Sequence, residues 1–425
     1  MSNLARSAMS ARIAKLPHLP DIPPPTRVPQ LDDGEDGDED EENDDLGQLP
    51  GANLKSNASG YSARKQGAGR RKGMNSQGDL SEFSPISAAN YFAQALSVPV
   101  PESGLEHRVY YTAPSESPST PESLDDQSSS TVLICHHGAG FSGLSFACFA
   151  EEVTRLSKGE LGVLAVDARS HAKTTALDRE AEERRQASQL RSNTAVDLSI
   201  ETLTNDFINL VKAVFPDVAK APSLLLLGHS MGGTVLVRAS PILQQAKFKI
   251  SGVTVLDVVE GSALEAMPMM RGLLASRPAG FNALEEAVEW HVSNKTIRNR
   301  TSARISVPSL FKPSPNVTSE FGYIWQTPLE LTEPYWTGWF TGLSESFLAA
   351  RTARLLILAG TDRLDKPLMI GQMQGKFQLE VVPNVGHMLH EDNPTRIAEI
   401  VVDFWKRNER LVLPAGIKVR KVGEV

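Results

Sequence analysis

The fold is decided by one stretch of the chain, Leu224-Leu225-Leu226-Leu227-Gly228-His229-Ser230-Met231-Gly232-Gly233-Thr234. Four leucines that end in glycine predict a strand buried on both faces, and the apolar residues after Thr234 predict a helix. The glycines around Ser230 permit a turn that is too tight for side chains. A Gly-x-Ser-x-Gly turn between a strand and a helix is a nucleophile elbow, which presents a serine hydroxyl to a histidine. The pattern therefore predicts that Ser230 is a nucleophile and that the N–H of Met231 stabilises the oxyanion formed by its attack on a carbonyl.

A second loop predicts the other half of such an oxyanion site. Residues 131–135 form an apolar run that predicts a buried strand, and His136-His137-Gly138-Ala139-Gly140 follows it directly. Hydrolases with a nucleophile elbow take their second oxyanion donor from a loop of this kind, and Ala139 is the candidate for its N–H. The alternative is an ordinary glycine loop without a catalytic role. This alternative is less attractive because the loop precedes an elbow strand in the chain, as the oxyanion loop does in such hydrolases.

Length and charge predict one large domain with tails. The chain has 425 residues, and its hydrophobic fraction of 40% is sufficient for a sizeable core. The net charge of -8 is uneven, because an acidic run at 32–45 precedes a basic cluster at 64–72. Such blocks are typical of solvated, disordered tails and do not indicate a nucleic-acid surface. We expect a disordered N-terminal tail over 1–80, one domain over 81–412 and a C-terminal tail over 413–425.

The composition also limits the location and cofactors of the protein. The two cysteines, Cys135 and Cys148, lie in apolar runs, which predicts core packing in a reducing compartment. No apolar run is long enough to span a membrane, and the first thirty residues lack the apolar core of a secretory signal. No His/Cys cluster has metal-ligand spacing, so we expect neither metal nor cofactor. The expected location is cytoplasmic, nuclear or both.

Strand and helix signals alternate along the rest of the chain. Strands are predicted at 161–167, 250–256, 355–360 and 377–382, and helices at 144–156, 200–214 and from 394 onward. The segment 262–348 interrupts the alternation and is too long for a simple connection, so it predicts a helical cap over the catalytic pocket. Near the start, Tyr91, Phe92 and Leu96 have helical spacing, and 108–111 predicts an edge strand. Together these signals predict an α/β-hydrolase fold with a mostly parallel central sheet.

The order of catalytic residues in this fold is serine, acid, histidine. His387 follows the last predicted strand and is the candidate base, with His390 as its neighbouring competitor. His171 comes too early in the chain to be the base. The acid has two candidates, because position after the penultimate strand favours Asp362, whereas Asp257 closes the strand before it.

Several ungapped blocks extend this interpretation, because together they closely resemble the protein phosphatase methylesterase family. The resemblance covers residues 83–410. Besides the elbow, its blocks include Asp257-Val258-Val259-Glu260-Gly261, Tyr335-Trp336, Gly338-Trp339-Phe340, Asp362-Arg363-Leu364-Asp365-Lys366 and Gly371-Gln372-Met373-Gln374-Gly375-Lys376-Phe377. One departure is that this chain lacks the long acidic insertion that relatives carry before the Tyr-Trp block, and has its acidic run in the N-terminal tail instead.

The resemblance implies an activity and a partner. It implies that Asp257 is the triad acid and that Asp362 is a structural residue of the pocket rim. It further implies removal of the methyl ester from the C-terminal leucine of the protein phosphatase 2A catalytic subunit, through an acyl-enzyme on Ser230 with His387 as base. Two other functions stay open at this point: a general carboxylesterase or lipase of the same fold, and a phosphatase-binding regulator with secondary catalysis.

Overall fold

The central feature of the structure is a sheet of nine described strands. The computed structural model describes residues 80–115, 130–178, 180, 196–315, 320–360 and 364–409. All of these belong to one compact unit, Asp45–Val425. The tails predicted before residue 80 and over 413–425, and the rival acid Asp362, lie outside the described residues.

The strands of the described part are β1 Gln94–Val100, β2 Leu105–Thr112, β3 Thr131–His136, β4 Leu161–Val166, β5 Thr175–Ala176, β6 Ser223–His229, β7 Ile250–Leu256, β8 Gly280–Phe281, β9 Phe311–Pro313, β10 Tyr323–Trp325, β11 Ala353–Leu358 and β12 Gln378–Val381. The α-helices are α1 Ala147–Leu156, α2 Ile200–Val214, α3 Met231–Gln245, α4 Glu260–Ser276, α5 Leu284–Ser293, α6 Arg300–Ser306, α7 Trp336–Phe340, α8 Leu343–Ala349, α9 Lys366–Met373, α10 Leu389–Asp392 and α11 Pro394–Asn408.

The sheet is antiparallel at one side and parallel across the rest. Its order is β1-β2-β4-β3-β6-β7-β11-β12, with β5 paired to β2. Neighbours from β4 to β12 run parallel. The carboxyl ends of these strands therefore meet at one edge of the sheet, which is where ligands bind in open α/β sheets. The predicted α/β-hydrolase architecture, with helices between successive strands, is confirmed.

The four leucines of β6 explain why this strand is central. Leu224 and Leu226 join one core cluster, and Leu225 and Leu227 join another. The first cluster includes side chains of α2 and α3, and the second includes side chains of α1 and α11. Since successive side chains of a strand point to opposite faces, an unbroken apolar run fills both layers. Cys135 and Cys148 are buried free thiols, in agreement with their predicted packing role.

The start of the domain differs from the prediction. Leu96 lies in β1, an edge strand paired antiparallel with β2, so the helical interpretation of Tyr91, Phe92 and Leu96 is wrong. The predicted edge strand 108–111 is part of β2, which has neighbours on both sides. The physical reason is that β1 is held by backbone pairing with β2 and keeps most of its side chains exposed, so its pattern carries little periodic signal. Its Pro99 is tolerated because an edge strand can lack one N–H.

The segment predicted to form a cap contains helices α4 to α8 and also a small sheet. The sheet has the order β8-β10-β9 and is antiparallel. Its strands have two or three residues each, which is too short for a recognisable alternation. Phe141 and Met388, from loops of the main sheet, pack into the apolar cluster of this segment. The segment is thus attached beside the loops that carry the predicted catalytic residues.

Candidate active site

Ser230 occupies a sharp turn between β6 and α3. Its backbone has φ 51° and ψ -124°, a strained conformation for a residue with a side chain. A Cβ on Gly228 would lie 2.3 Å from the carbonyl oxygen of Gly232, and a Cβ on Gly232 would lie 2.4 Å from that of His136. Both positions therefore require glycine, and the predicted elbow geometry is present. The turn places the largely buried serine side chain in the lining of a cleft at the carboxyl edge of the sheet.

A carboxylate and an imidazole from distant parts of the chain meet beside this turn. Asp257 follows β7, and its Oδ2 lies 2.8 Å from Nδ1 of His387. Its Oδ1 accepts a hydrogen bond from the N–H of Ala359 at 2.9 Å. The carboxylate thus fixes the proton of His387 on Nδ1 and leaves Nε2 able to accept a proton. The structure brings Asp257 to His387, whereas the rival Asp362 lies outside the described residues.

His229 ties the histidine loop to the elbow. Its Nε2–H donates to the carbonyl oxygen of His387 at 2.9 Å, and the two rings are 4.6 Å apart. Burial holds the pKa of His229 well below its ordinary value, so the ring is neutral. This role of His229 is not predictable from the sequence. The only available signal was its position beside the predicted nucleophile, which does not reveal a contact with a loop 158 residues away.

Ser230 and His387 are both described by the structure and line the same cleft, but no hydrogen bond joins their side chains. Catalytic hydrogen bonds are often long in unliganded enzymes and tighten in the complex with substrate. His387 therefore has the carboxylate of Asp257 in contact with Nδ1, and Ser230 lies in the same cleft.

The two predicted oxyanion donors lie on either side of Ser230. Met231 is the first residue of α3, where backbone N–H groups lack partners within the helix. Ala139 lines the cleft, and a Cβ on Gly138 would lie 3.1 Å from Cβ of Ser230. The loop after β3 is therefore packed directly against the elbow.

The cleft is an apolar cavity of about 100 Å³ between the sheet and α4. Apolar side chains from three parts of the chain line most of it: Phe141, Val258, Val259, Ala263, Ala266, Met270, Leu273, Leu274, Leu329, Trp336, Trp339 and Phe340. Within the described part of the chain, no lysine or arginine lines it. The cleft suits an uncharged, apolar acyl group.

The other predicted polar residues have structural partners. His390 is buried, stacks on Phe146 with 4.5 Å between ring centres, and has its pKa lowered to about 3 by burial. Arg169, in the loop after β4, forms an ion pair with Asp206 at 2.6 Å. Across the described residues, no cluster of three or more His, Cys, Asp or Glu has the geometry of a metal site. Nor do those residues include a helix that is long and apolar enough to cross a bilayer.

This chain is similar to a family of hydrolases and to several named proteins. The model of the alpha/beta hydrolase family matches residues 132–400. Protein phosphatase methylesterase 1 of Cryptococcus neoformans is 46% identical over 362 residues, which cover 80% of this chain and 83% of the relative. The protein of the same name from Schizosaccharomyces pombe is 39% identical over 346 residues, covering 81% of this chain and 90% of the relative.

Among solved structures, E-2-(acetamidomethylene)succinate hydrolase superposes with a TM-score of 0.53 at 14% identity, over 74% of this chain and 99% of that one. This likeness concerns the fold alone, whereas the sequence relatives extend it to the activity. The chain therefore belongs to the protein phosphatase methylesterase family of α/β hydrolases and is a carboxylic ester hydrolase.

Proposed function

We propose that this enzyme removes the methyl ester from the C-terminal leucine of the protein phosphatase 2A catalytic subunit. The reaction uses Ser230 as nucleophile, His387 as base and Asp257 as its acid partner. The observation that carries the mechanism is the 2.8 Å contact between Asp257 and His387 in the cleft that contains Ser230. The name that the sequence relatives share supports a methyl ester on a protein phosphatase as the substrate, and the choice of the phosphatase 2A subunit comes from the sequence resemblance.

In the first half of the reaction, Oγ of Ser230 forms a bond to the ester carbonyl carbon and gives its proton to Nε2 of His387. The N–H groups of Met231 and Ala139 stabilise the resulting oxyanion. When the tetrahedral intermediate collapses, the bond to the methoxy oxygen breaks and His387 returns the proton to that oxygen. Methanol leaves, and the leucine acyl group stays on Ser230.

In the second half, water attacks the acyl-enzyme and His387 accepts its proton. The bond to Oγ of Ser230 breaks, and the serine recovers its proton from the imidazole. The product is a carboxylic acid, which loses its proton to solvent and becomes a carboxylate; Asp257 is the one carboxylate in the described lining of the cleft. Because that lining offers no lysine or arginine, the cleft favours the neutral ester over the charged product.

The test is incubation with the methylated catalytic subunit, followed by measurement of released methanol and of subunit binding. We expect Ser230→Ala to abolish methanol release and to retain binding. A matched control is Ser276→Ala, because the hydroxyl of Ser276 donates to the carbonyl of Leu273 on the exposed end of α4. This control is expected to keep full activity.

Two outcomes would contradict the proposal. Rapid cleavage of small soluble esters with no action on the methylated subunit would indicate a general carboxylesterase. Modulation of the phosphatase that is identical for wild type and Ser230→Ala, without any methanol release, would indicate a binding regulator.

A further inference from the structure

Two buried histidines that take no part in the proposed chemistry hold the loop after β3. Nδ1–H of His137 donates to the carbonyl oxygen of Gly138 at 2.7 Å. Nε2 of His171 accepts the N–H of Gly140 at 2.9 Å. The peptide units on both sides of Ala139 are therefore each held by an imidazole.

The contact at Gly138 fixes the direction of the Ala139 N–H. The carbonyl of Gly138 and the N–H of Ala139 belong to the same peptide unit, which is planar and trans. In such a unit the C=O and N–H point in opposite directions, so holding the oxygen also aims the N–H. The Gly138 oxygen accepts a second hydrogen bond from the N–H of Phe141 at 3.2 Å. The Ala139 N–H is thus oriented by contacts on the far side of its own peptide.

Each imidazole is anchored in turn to the loop after β4. Nε2 of His137 accepts the N–H of Ala168 at 3.0 Å, and Nδ1–H of His171 donates to the carbonyl of Arg169 at 2.7 Å. Every ring nitrogen of the pair therefore has one backbone partner, which defines both tautomers. Burial keeps both rings neutral, since it lowers the pKa of His171 to about 4 and that of His137 well below its ordinary value.

The segment between β10 and α7 packs against the other side of the loop after β3. A Cβ on Gly140 would lie 2.5 Å from Cδ1 of Leu329, and Gly140 has a φ of +79°. The hydroxyl of Thr327 donates to the carbonyl of Ser170 at 2.9 Å. The loop after β3 therefore lies between this segment and the loop after β4.

From this geometry we infer that His137 and His171 are positioning residues, which hold the Ala139 N–H in place to stabilise the oxyanion. The inference rests on the proposed function, because that function makes Ala139 an oxyanion donor. Neither histidine lines the cleft, and neither transfers a proton in the proposed reaction. Their contribution is the alignment of one peptide unit before the reaction starts.

The two positions require different atoms, and this allows a matched test with amide side chains. An asparagine amide nitrogen is two bonds from Cβ, as Nδ1 of histidine is, so His137→Asn keeps the donor to Gly138. A glutamine amide oxygen is three bonds from Cβ, as Nε2 is, so His171→Gln keeps the acceptor for Gly140. The swapped variants, His137→Gln and His171→Asn, carry the same amide group. In His137→Gln the donor is one bond further from Cβ than Nδ1 is, and in His171→Asn the acceptor is one bond closer to Cβ than Nε2 is.

The measurements are kcat and KM for p-nitrophenyl acetate, corrected for the fraction of Ser230 that a fluorophosphonate titrates. Loss of one oxyanion donor costs about 10²–10³ in kcat, and misalignment should cost part of that. We expect His137→Gln and His171→Asn to lower kcat by about 10- to 100-fold, with KM changed by less than about twofold. His137→Asn and His171→Gln should recover most of the loss. The affinities of the four variants for a boronic acid that forms a tetrahedral adduct should follow the same order as their kcat values.

The preference for asparagine at one position and glutamine at the other is the decisive result. If the histidines only pack, the same amide should be favoured at both positions, or the variants should change the unfolding midpoint without changing kcat per titrated site. Either result would overturn the inference. Wild type that cleaves p-nitrophenyl acetate but not the methylated phosphatase subunit would refute the proposed substrate, and would leave the order of the four variants fully interpretable.

Discussion

Replacing Asp257 by asparagine changes one atom of the candidate site and tests its proton arrangement. Oδ1 of Asp257 accepts the N–H of Ala359, and Oδ2 accepts Nδ1–H of His387. An asparagine has only one oxygen for these two donors. If that oxygen stays on Ala359, the amide NH₂ faces Nδ1, and the proton of His387 has to move to Nε2. The imidazole then cannot accept the proton of Ser230.

The size of the effect follows from this change of tautomer. In serine proteases, the equivalent replacement lowers kcat by about 10⁴, which corresponds to about 5.5 kcal/mol at about 1.36 kcal/mol for each factor of ten. We expect a loss of this order for Asp257→Asn. The cost to folding is smaller, at about 1–3 kcal/mol, because one buried hydrogen bond to a charged group is lost and the shape is kept.

The assay is kcat for ester hydrolysis, with the unfolding midpoint measured on the same samples. Asp362→Asn is the matched control, because Asp362 is the acid that its position in the sequence favours. We expect Asp362→Asn to stay within about tenfold of wild type. The reasoning is refuted if Asp362→Asn loses about 10⁴ while Asp257→Asn remains within about tenfold.

Three further predictions concern the stability of the fold. Gly232→Ala should destabilise the fold by about 1–3 kcal/mol, because its Cβ would overlap the backbone of β3. Gly272 has open space around it, so Gly272→Ala should stabilise helix α4 by about 1 kcal/mol. Denaturant titration measures both changes in the free energy of unfolding. Arg169→Met should cost about 3–5 kcal/mol by leaving Asp206 unpaired, and adding Asp206→Leu should restore most of the loss of unfolding free energy. Burial lowers the pKa of His291 to about 4. As the pH falls below about 6.5, this histidine is protonated in the unfolded chain but not in the folded protein. The free energy of unfolding therefore falls by about 1.4 kcal/mol for each pH unit between about 6.5 and 4. His291→Leu should remove this contribution, giving a smaller difference in unfolding free energy between about pH 7.5 and 5.5.

The elements that the sequence predicts correctly are those with a local signal. The elbow, the strands β3, β4, β6 and β7 and the helix α2 depend on neighbouring residues, through unbroken apolar runs, helical periodicity and glycines that no side chain can replace. The prediction failed for β1, because an exposed edge strand is held by pairing with β2 and has little pattern of its own. The short strands β8 to β10 were missed because two or three residues cannot show a period.

The sequence by itself thus determined the α/β architecture, the turn that presents Ser230 and the position of His387 after the last predicted strand. Only the tertiary structure decided which groups meet. The residues alone favoured Asp362 by position, whereas the carboxylate in contact with His387 is that of Asp257. The contacts of His229 and of the two loop histidines also join segments far apart in the chain. The physical reason is that periodicity records which face of an element is buried, whereas a hydrogen bond between loops depends on where the packed sheet places their ends.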